Sequence, residues 1–385
     1  MRRDVNIADL RRHARRRLPK VVFDFIDGGA QDERTLEANC RDLQALTLSP
    51  KVMVDVSDRD LSVEVFGQKL SCPIILSPIG LTGLASPKGE LDAARAADAA
   101  GVGYCLSTNG TSSIEEVAGV TKRPFWFQLY VMKDRGLTRS LIERAAAAGC
   151  SALVLTVDLA AHGNRERDAR NGFSVPPRIS LGDAANALLR PGWLLRMVSG
   201  PRLTFANYRT EADEGFLQLS QHIAKQFDPS ISWSDIEWVK QHWDGPLVLK
   251  GVLRADDARR AIDHGCDGIS VSNHGGRQLD GVPSAITALP HVVDAVDGRC
   301  PVFMDGGIRR GADIVRARAL GATACLVGRA FVYALAALGP DGPTRAITIL
   351  QTELDNTMAL MGLPTIADID RSAIVLDDSW PSNAL

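Results

Sequence analysis

The sequence lacks the features of disulfide-bonded, zinc-binding and membrane-spanning proteins. Its seven cysteines are scattered, their number is odd and no two form a CxxC pair, so we expect reduced thiols and no metal site. No apolar run reaches the ~18–20 residues that a spanning helix needs. The N-terminus is basic but has no hydrophobic stretch typical of a secretory signal. These absences predict a cytoplasmic protein.

An excess of charge of either sign is also lacking. Lys and Arg number 44 and Asp and Glu number 46, which gives a formal net charge of −2 and no electrostatic case for a nucleic-acid partner. The hydrophobic fraction of 45% and the charged fraction of 23% are ordinary for a globular chain. At 385 residues, the chain can bury a full core without disulfides or metals.

Residues 1–70 are expected to form an N-terminal helical segment. Residues 6–17 have apolar side chains at helical spacing, with Asn6 as a candidate N-cap. Residues 20–46 are predicted to be further helix. The arginine run of the first helix is expected to be a solvated face, and contact with an anionic membrane is the alternative.

From residue 71 to 375, short β-branched runs alternate with helical stretches. This pattern favours parallel strands in βαβ units, and eight such units close as an α/β fold, the (β/α)8 TIM barrel, within a single domain 1–385. A six-stranded open sheet competes, but the number of strands argues against it. The predicted strands are 73–81, 102–108, 124–131, 152–158, 246–252, 268–275, 301–307 and 324–330, and the clearest helices are 89–100, 138–148, 255–264 and 311–320.

A long loop interrupts the alternation after the fourth strand. About ninety residues separate the fourth and fifth strands, and connections of that length are usually functional or mobile. We assign residues 172–230 to this insertion. Within it, residues 188–198 (LLRPGWLLRMV) mix large apolar side chains with arginine, which suits a segment in a membrane interface. An active-site lid or a subunit contact would suit the same composition.

Polar residues follow the predicted strands at their C-terminal ends, where barrel enzymes have their active sites. The turns after strands seven and eight, DGGIR and GR, combine glycine with arginine, which is typical of a phosphate site. Lys250 ends strand five. It could be a Schiff-base nucleophile or a fixed cation beside a cofactor, and the second is favoured because its strand offers no group to activate it.

His274 follows strand six in the turn SNHGGR. A lone histidine is usually structural, but Asp158 at the end of strand four could orient this one and raise its basicity. Arg165 and Arg277 could clamp a carboxylate. A base between two carboxylate-binding arginines is the arrangement that oxidation of a 2-hydroxy acid needs.

Four stretches resemble one known family. Residues 272–280 (SNHGGRQLD), 305–311 (DGGIRRG), 127–131 (FQLYV) and 18–33 (LPKVVFDFIDGGAQDE) are similar to the FMN-dependent 2-hydroxy acid dehydrogenases and oxidases. That family includes glycolate oxidase, L-lactate dehydrogenase and mandelate dehydrogenase. The resemblance extends over almost the whole chain, and SNHGGRQLD is highly specific.

The resemblance implies an FMN enzyme that oxidises an (S)-2-hydroxy acid to the 2-oxo acid and passes electrons to quinone or oxygen. His274 is then the base, assisted by Asp158, while Tyr130 lies near the substrate oxygen. Hydride transfer and a carbanion route both stay open. A homo-oligomer, commonly a tetramer, is implied. Arg165 and Arg277 bind the substrate carboxylate, and the expected FMN contacts are Pro78, Ser107, Gln128, Thr156, Lys250, Ser272, Asp305, Gly307, Arg309, Gly328 and Arg329.

The chain departs from the family at the substrate. Phe25 replaces a tyrosine that usually donates to the substrate carboxylate, as in the hydroxymandelate oxidase branch, so one hydrogen bond is lost. Asn109 replaces the bulky tryptophan of glycolate oxidases, and Gly80 replaces a more common alanine. These changes point to a larger, aryl substrate such as mandelate, with L-lactate as the smaller candidate.

The region after strand four is most similar to mandelate dehydrogenase. In that branch the long loop attaches the enzyme to a membrane, where quinone takes the electrons. The resemblance therefore implies peripheral contact through the insertion, on the inner face of the cell membrane. Two rival functions stay open: a non-redox FMN barrel such as an isomerase, and a low-turnover flavin-binding protein. The pair of His274 with Asp158 argues against the second.

Overall fold

The computed structural model describes residues 4–172, 181–208 and 216–376. Over these residues the chain forms sixteen α-helices and twelve β-strands. The helices α1 to α16 are Ile7–Arg17, Lys20–Asp27, Arg34–Ala45, Gly89–Ala100, Ile114–Ala118, Arg135–Ala147, Glu166–Arg170, Leu181–Leu188, Pro191–Ser199, Phe216–Gln226, Ser234–Lys240, Ala255–Asp263, Ala285–Val296, Gly311–Ala319, Arg329–Leu338 and Gly342–Met361. The strands β1 to β12 are Thr47–Leu48, Val63–Val65, Gln68–Leu70, Ile74–Leu76, Gly103–Ser107, Trp126–Leu129, Ala152–Thr156, Leu247–Val252, Gly268–Val271, Val302–Asp305, Ala324–Val327 and Ile374–Val375.

Strands β4 to β11 close into a parallel barrel in sequence order, with β11 paired back to β4. Their residues are almost all buried, because helices cover the barrel outside and side chains fill it inside. The predicted eight-stranded α/β barrel is confirmed, and the open sheet is wrong. Each strand lies within its predicted run. The run 324–330 extended too far, because Arg329 already begins α15.

The N-terminal segment is only partly helical. Asn6 caps α1 as predicted, since its side-chain oxygen accepts from the backbone N–H of Asp9 at 2.8 Å. The predicted helix 20–46 is interrupted after Asp27, where Gly28 is extended and the backbone N–H of Ala30 donates to the Gly276 carbonyl at 2.9 Å. Strand β1 pairs with β12, and β2 and β3 form a hairpin whose Phe66 contacts the barrel aromatics Trp126 and Phe303.

The insertion is not an open loop in its described part, which contains α8, α9 and α10. A short 3-10 turn, Ala206–Tyr208, ties it to the end of β5. The side-chain oxygen of Asn207 accepts from the backbone N–H of Ile114 at 3.0 Å, and its amide donates to the carbonyl of Thr108 at 3.3 Å. Among the described helices, none has the length and apolar character needed to cross a bilayer.

Candidate active site

A cavity of about 720 Å³ opens at the C-terminal ends of the barrel strands, beneath the insertion. It brings together residues that are far apart in the sequence. The site residues predicted from the sequence that line it are Phe25, Pro78, Ser107, Gln128, Tyr130, Thr156, Arg165, Lys250, His274, Arg277, Asp305, Gly307, Arg309, Gly328 and Arg329. The other two, Asp158 and Ser272, contact His274 and Lys250 from behind the wall.

The imidazole of His274 is held by Asp158. The Nδ1 of His274 lies 2.8 Å from Oδ1 of Asp158, which leaves Nε2 for a reacting proton. Burial lowers the pKa of His274, and the carboxylate of Asp158 raises it in part. Asp158 thus raises the basicity of the imidazole as expected, but burial has the larger effect, so the net pKa of His274 is below the usual value. The ring is therefore neutral at pH 7 and able to accept a proton.

Lys250 is a buried cation fixed by two neighbouring strands. Its Nζ lies 2.8 Å from Oδ2 of Asp305 and 2.9 Å from Oγ of Ser272, and that hydroxyl donates to Asp305 Oδ1 at 2.8 Å. Burial lowers the pKa of Lys250, but the carboxylates of Asp305 and Asp158 raise it by more, so the net pKa is above the usual value. A permanent ammonium group is a poor Schiff-base nucleophile, which supports the fixed-cation interpretation. The hydroxyl of Ser272 is engaged here and Ser272 does not line the cavity, so its direct contact with FMN stays a prediction.

Arg277 and Arg165 form a cationic cluster beside the base. Nη1 of Arg277 donates to the carbonyls of Phe25 and Gly28 at 2.7 and 2.9 Å, and its guanidinium lies over the Phe25 ring at 5.2 Å. Burial, together with the cations Arg165 and Arg329, lowers the pKa of Arg277. A carboxylate that entered this cluster would relieve the repulsion.

The turns after β10 and β11 form another part of the cavity wall, where Arg329 shares the Gly28 carbonyl with Arg277. Gly306 and Gly307 have φ of +98° and +84°, and a Cβ at Gly307 would collide with the Asn39 carbonyl. Arg309 lies over the Tyr333 ring at 5.8 Å. Arg329 donates to three carbonyls, at 2.8 to 3.0 Å, and is thereby fixed at the cavity wall. Exposed backbone and fixed cations in this arrangement suit a phosphate group.

Two polar atoms indicate where a ring system would bind. Nε2 of Gln128 and Oγ1 of Thr156 are buried and have no hydrogen-bond partner within the described part of the chain. Buried polar groups normally have partners. Both residues line the cavity near Lys250, so the donors and acceptors present fit the flavin ring of FMN, with its phosphate at the glycine and arginine turns.

Sequence reasoning missed the apolar side of the cavity, which the insertion supplies. Phe205, Ile223 and Phe227, here called the roof, line the cavity together with His162. The Phe227 ring lies 5.4 Å from the Tyr130 ring and 4.7 Å from the His162 ring. The helical spacing of apolar residues in 216–227 was the one available signal, and it could not show which surface they cover.

Fold and cavity together define a parallel barrel whose cavity fits FMN beside a carboxylate-held imidazole and a cationic cluster that suits a small carboxylic acid. The profile of the FMN-dependent dehydrogenase family matches residues 14–376. L-lactate dehydrogenases from Alcaligenes faecalis and from Stenotrophomonas maltophilia strain R551-3 are 46% and 47% identical over 370 residues, which cover 95% of this chain and 97% of each relative.

Solved structures of two FMN-family relatives have the same fold as this chain. The monotopic membrane protein (S)-mandelate dehydrogenase superposes with a TM-score of 0.94 at 38% identity, covering 98% of this chain and 100% of that one. A mandelate oxidase has a TM-score of 0.83 at 39% identity, covering 97% and 98%. The chain belongs to the FMN-dependent dehydrogenase family and is an FMN-dependent oxidoreductase that oxidises a 2-hydroxy acid. The two rival functions are thereby set aside.

Proposed function

We propose that the preferred substrate is an aryl (S)-2-hydroxy acid of the mandelate type. The roof carries this proposal, because it gives the cavity an apolar and aromatic wall beside Tyr130 that a methyl group would leave unfilled. Gly80 and Asn109 act together here. A Cβ at residue 80 would lie 2.9 Å from the Cβ of Asn109, so the glycine makes room for the asparagine.

In this proposal the substrate carboxylate binds Arg165 and Arg277, and Phe25 packs beside it. Bound FMN supplies a two-electron acceptor. His274 accepts the proton that leaves the substrate at Nε2, and Asp158 stabilises the resulting imidazolium. Burial raises the pKa of Tyr130 to about 12, so its hydroxyl stays protonated and can donate to the substrate oxygen. Lys250 keeps a positive charge beside the ring site.

The substrate is tested by anaerobic mixing of the FMN-loaded enzyme with (S)-mandelate, L-lactate and glycolate. We expect mandelate to bleach the flavin absorbance fastest. L-lactate is the second candidate, because the relatives at 46% identity are L-lactate dehydrogenases. Faster reduction by lactate than by mandelate would refute the assignment of the roof. Phe227→Ala should slow reduction by mandelate more than reduction by lactate, so each substrate serves as a control for the other.

We further propose that the enzyme docks on the inner face of the cell membrane and passes electrons to quinone there. The helix pair α8 and α9 presents Leu188, Leu189, Leu195 and Val198, which are 70 to 82% exposed. Its Arg190 donates to the carbonyl of Leu18, next to the arginine-rich end of α1. Exposed apolar side chains beside cations suit a membrane interface. The mandelate dehydrogenase relative is itself a monotopic membrane protein.

Co-sedimentation with phospholipid vesicles tests the docking. The double variant Leu195→Glu/Val198→Glu should remain in solution, while Leu360→Glu, at a similarly exposed leucine on α16, should sediment like the unaltered enzyme. Equal sedimentation of all three proteins would count against docking through the insertion. We also propose a single domain 1–385 that assembles as a homotetramer, which light scattering would check.

A further inference from the structure

Strand β8 is irregular directly after Lys250. Its register with β9 shifts between Lys250 and Val252, which makes Gly251 the extra residue of a β-bulge, with φ of +109°. Bulges change the direction of neighbouring side chains and often lie beside active sites. The backbone is fixed on both sides, because the N–H of Val157 donates to the Lys250 carbonyl at 3.0 Å and that of Ser272 donates to the Val252 carbonyl at 3.3 Å.

The bulge faces Asp158. A Cβ at Gly251 would lie 2.7 Å from the Cβ of Asp158 and 2.8 Å from its Cγ, well inside van der Waals contact. Any side chain at residue 251 would therefore push the carboxylate away. That carboxylate holds Nδ1 of His274 at 2.8 Å.

We propose that Gly251 is a positioning residue for the reaction: the bulge at the end of β8 opens the space that Asp158 occupies and so sets the hydrogen bond that orients His274. This inference rests on the proposed roles of His274 and Asp158. Gly251 itself touches neither substrate nor the reacting atoms. Its effect is transmitted through the carboxylate, and this route separates it from the residues that bind FMN.

The first test is Gly251→Ala, measured by anaerobic flavin reduction at saturating substrate. A displacement of about 1 Å in a catalytic group can cost about a hundredfold in rate, so we expect a loss of about ten- to a hundredfold with little change in KM. Gly265→Ala is the matched control. Its φ of +87° is also positive, but the nearest atom to its Cβ is Lys240 Cε at 3.9 Å, so the rate of flavin reduction should match that of the unaltered enzyme. A rate for Gly251→Ala equal to that of the control would overturn the inference.

A double-mutant cycle separates positioning from general damage. In an Asp158→Gly background both the orienting hydrogen bond and the side-chain atoms that the new Cβ would meet are already gone, so adding Gly251→Ala should cost less than about threefold more, because coupled residues are non-additive. Two independent losses that simply multiply would overturn the inference. If none of the tested hydroxy acids reduced the flavin of the unaltered enzyme, the proposed function would fail instead.

Solubility provides the remaining readout. If Gly251→Ala alone does not fold, the double variant Gly251→Ala/Asp158→Gly removes both side-chain atoms that the new Cβ would meet. Recovery of soluble, yellow protein would support the contact with Asp158. An insoluble double variant beside a soluble Asp158→Gly would overturn it.

Discussion

Replacement of Asp158 by asparagine tests the centre of the proposed mechanism. Asparagine has the same shape and can still accept a hydrogen bond from Nδ1 of His274, but it carries no charge. The change therefore removes the stabilisation of the imidazolium and keeps the packing. The Asp158 side chain is 13% exposed and its Oδ2 has no partner among the described residues, so solvent screens the lost charge weakly.

The magnitude follows from the distance. At an effective dielectric constant of about 20, two unit charges about 4 Å apart attract by about 4 kcal/mol. The reacting imidazolium of His274 has its Nδ1 2.8 Å from the carboxylate oxygen, so a loss of about 3–4 kcal/mol is expected. At about 1.4 kcal/mol per tenfold, the rate should fall by about a hundred- to a thousandfold.

The assay is anaerobic stopped-flow reduction of bound FMN by (S)-mandelate. We expect the limiting rate to fall while the substrate dissociation constant changes little, because Arg165 and Arg277 are untouched. Asp92→Asn is the control, since Asp92 is a buried carboxylate that pairs with Arg95 on α4 and does not line the cavity. If the limiting rate of flavin reduction in Asp158→Asn were within about threefold of that of the unaltered enzyme, the proposed stabilisation of the His274 imidazolium by Asp158 would be refuted.

Three further outcomes are expected. Arg277→Lys should raise KM for the hydroxy acid by about ten- to a hundredfold, because a lysine cannot reproduce the planar guanidinium, whereas an unchanged KM in steady-state assays would contradict carboxylate binding there. Phe25→Tyr should lower KM for lactate, since it restores a donor, and no change would discount the role given to this position. Asp27 has its pKa lowered to about 2: burial raises it, but hydrogen bonds from Arg11 and Tyr333 lower it more. The pKa of Asp27 in the folded protein is below its value in the unfolded chain. Ionised Asp27 therefore stabilises the folded state above about pH 4, and this stabilisation is lost as the pH falls towards 2. Urea unfolding of Asp27→Asn should show a deficit of about 2 kcal/mol at pH 7 that narrows over this range.

Local patterns in the chain were sufficient for the barrel. Strand runs that are apolar on both faces, separated by helical stretches, predict a parallel sheet covered by helices, and the presence of eight such strands favours closure into a barrel. Glycine and arginine after strands seven and eight predict the phosphate end, because glycine allows close backbone approach and arginine supplies charge. The motif around His274 identified the family for the same reason.

Contacts between distant segments were decided only by the tertiary structure. The Lys250–Asp305–Ser272 network joins three strands, and no local pattern shows that a carboxylate on β10 reaches a lysine on β8. After the break at Asp27, the backbone of Gly29 and Ala30 lies against the Gly276 carbonyl, a contact with a segment almost 250 residues away in the chain.

The amino-acid sequence by itself determined the periodicity, the strand ends and the types of chemical group available there, because these depend on residues near one another in the chain. Barrel closure decided which groups meet. It placed the roof over the cavity, buried His274 enough to lower its pKa, and brought the Gly251 bulge against Asp158. These three features depend on distances between distant segments and on the exclusion of solvent, both of which arise only when the barrel closes. No single segment of the sequence carries that information.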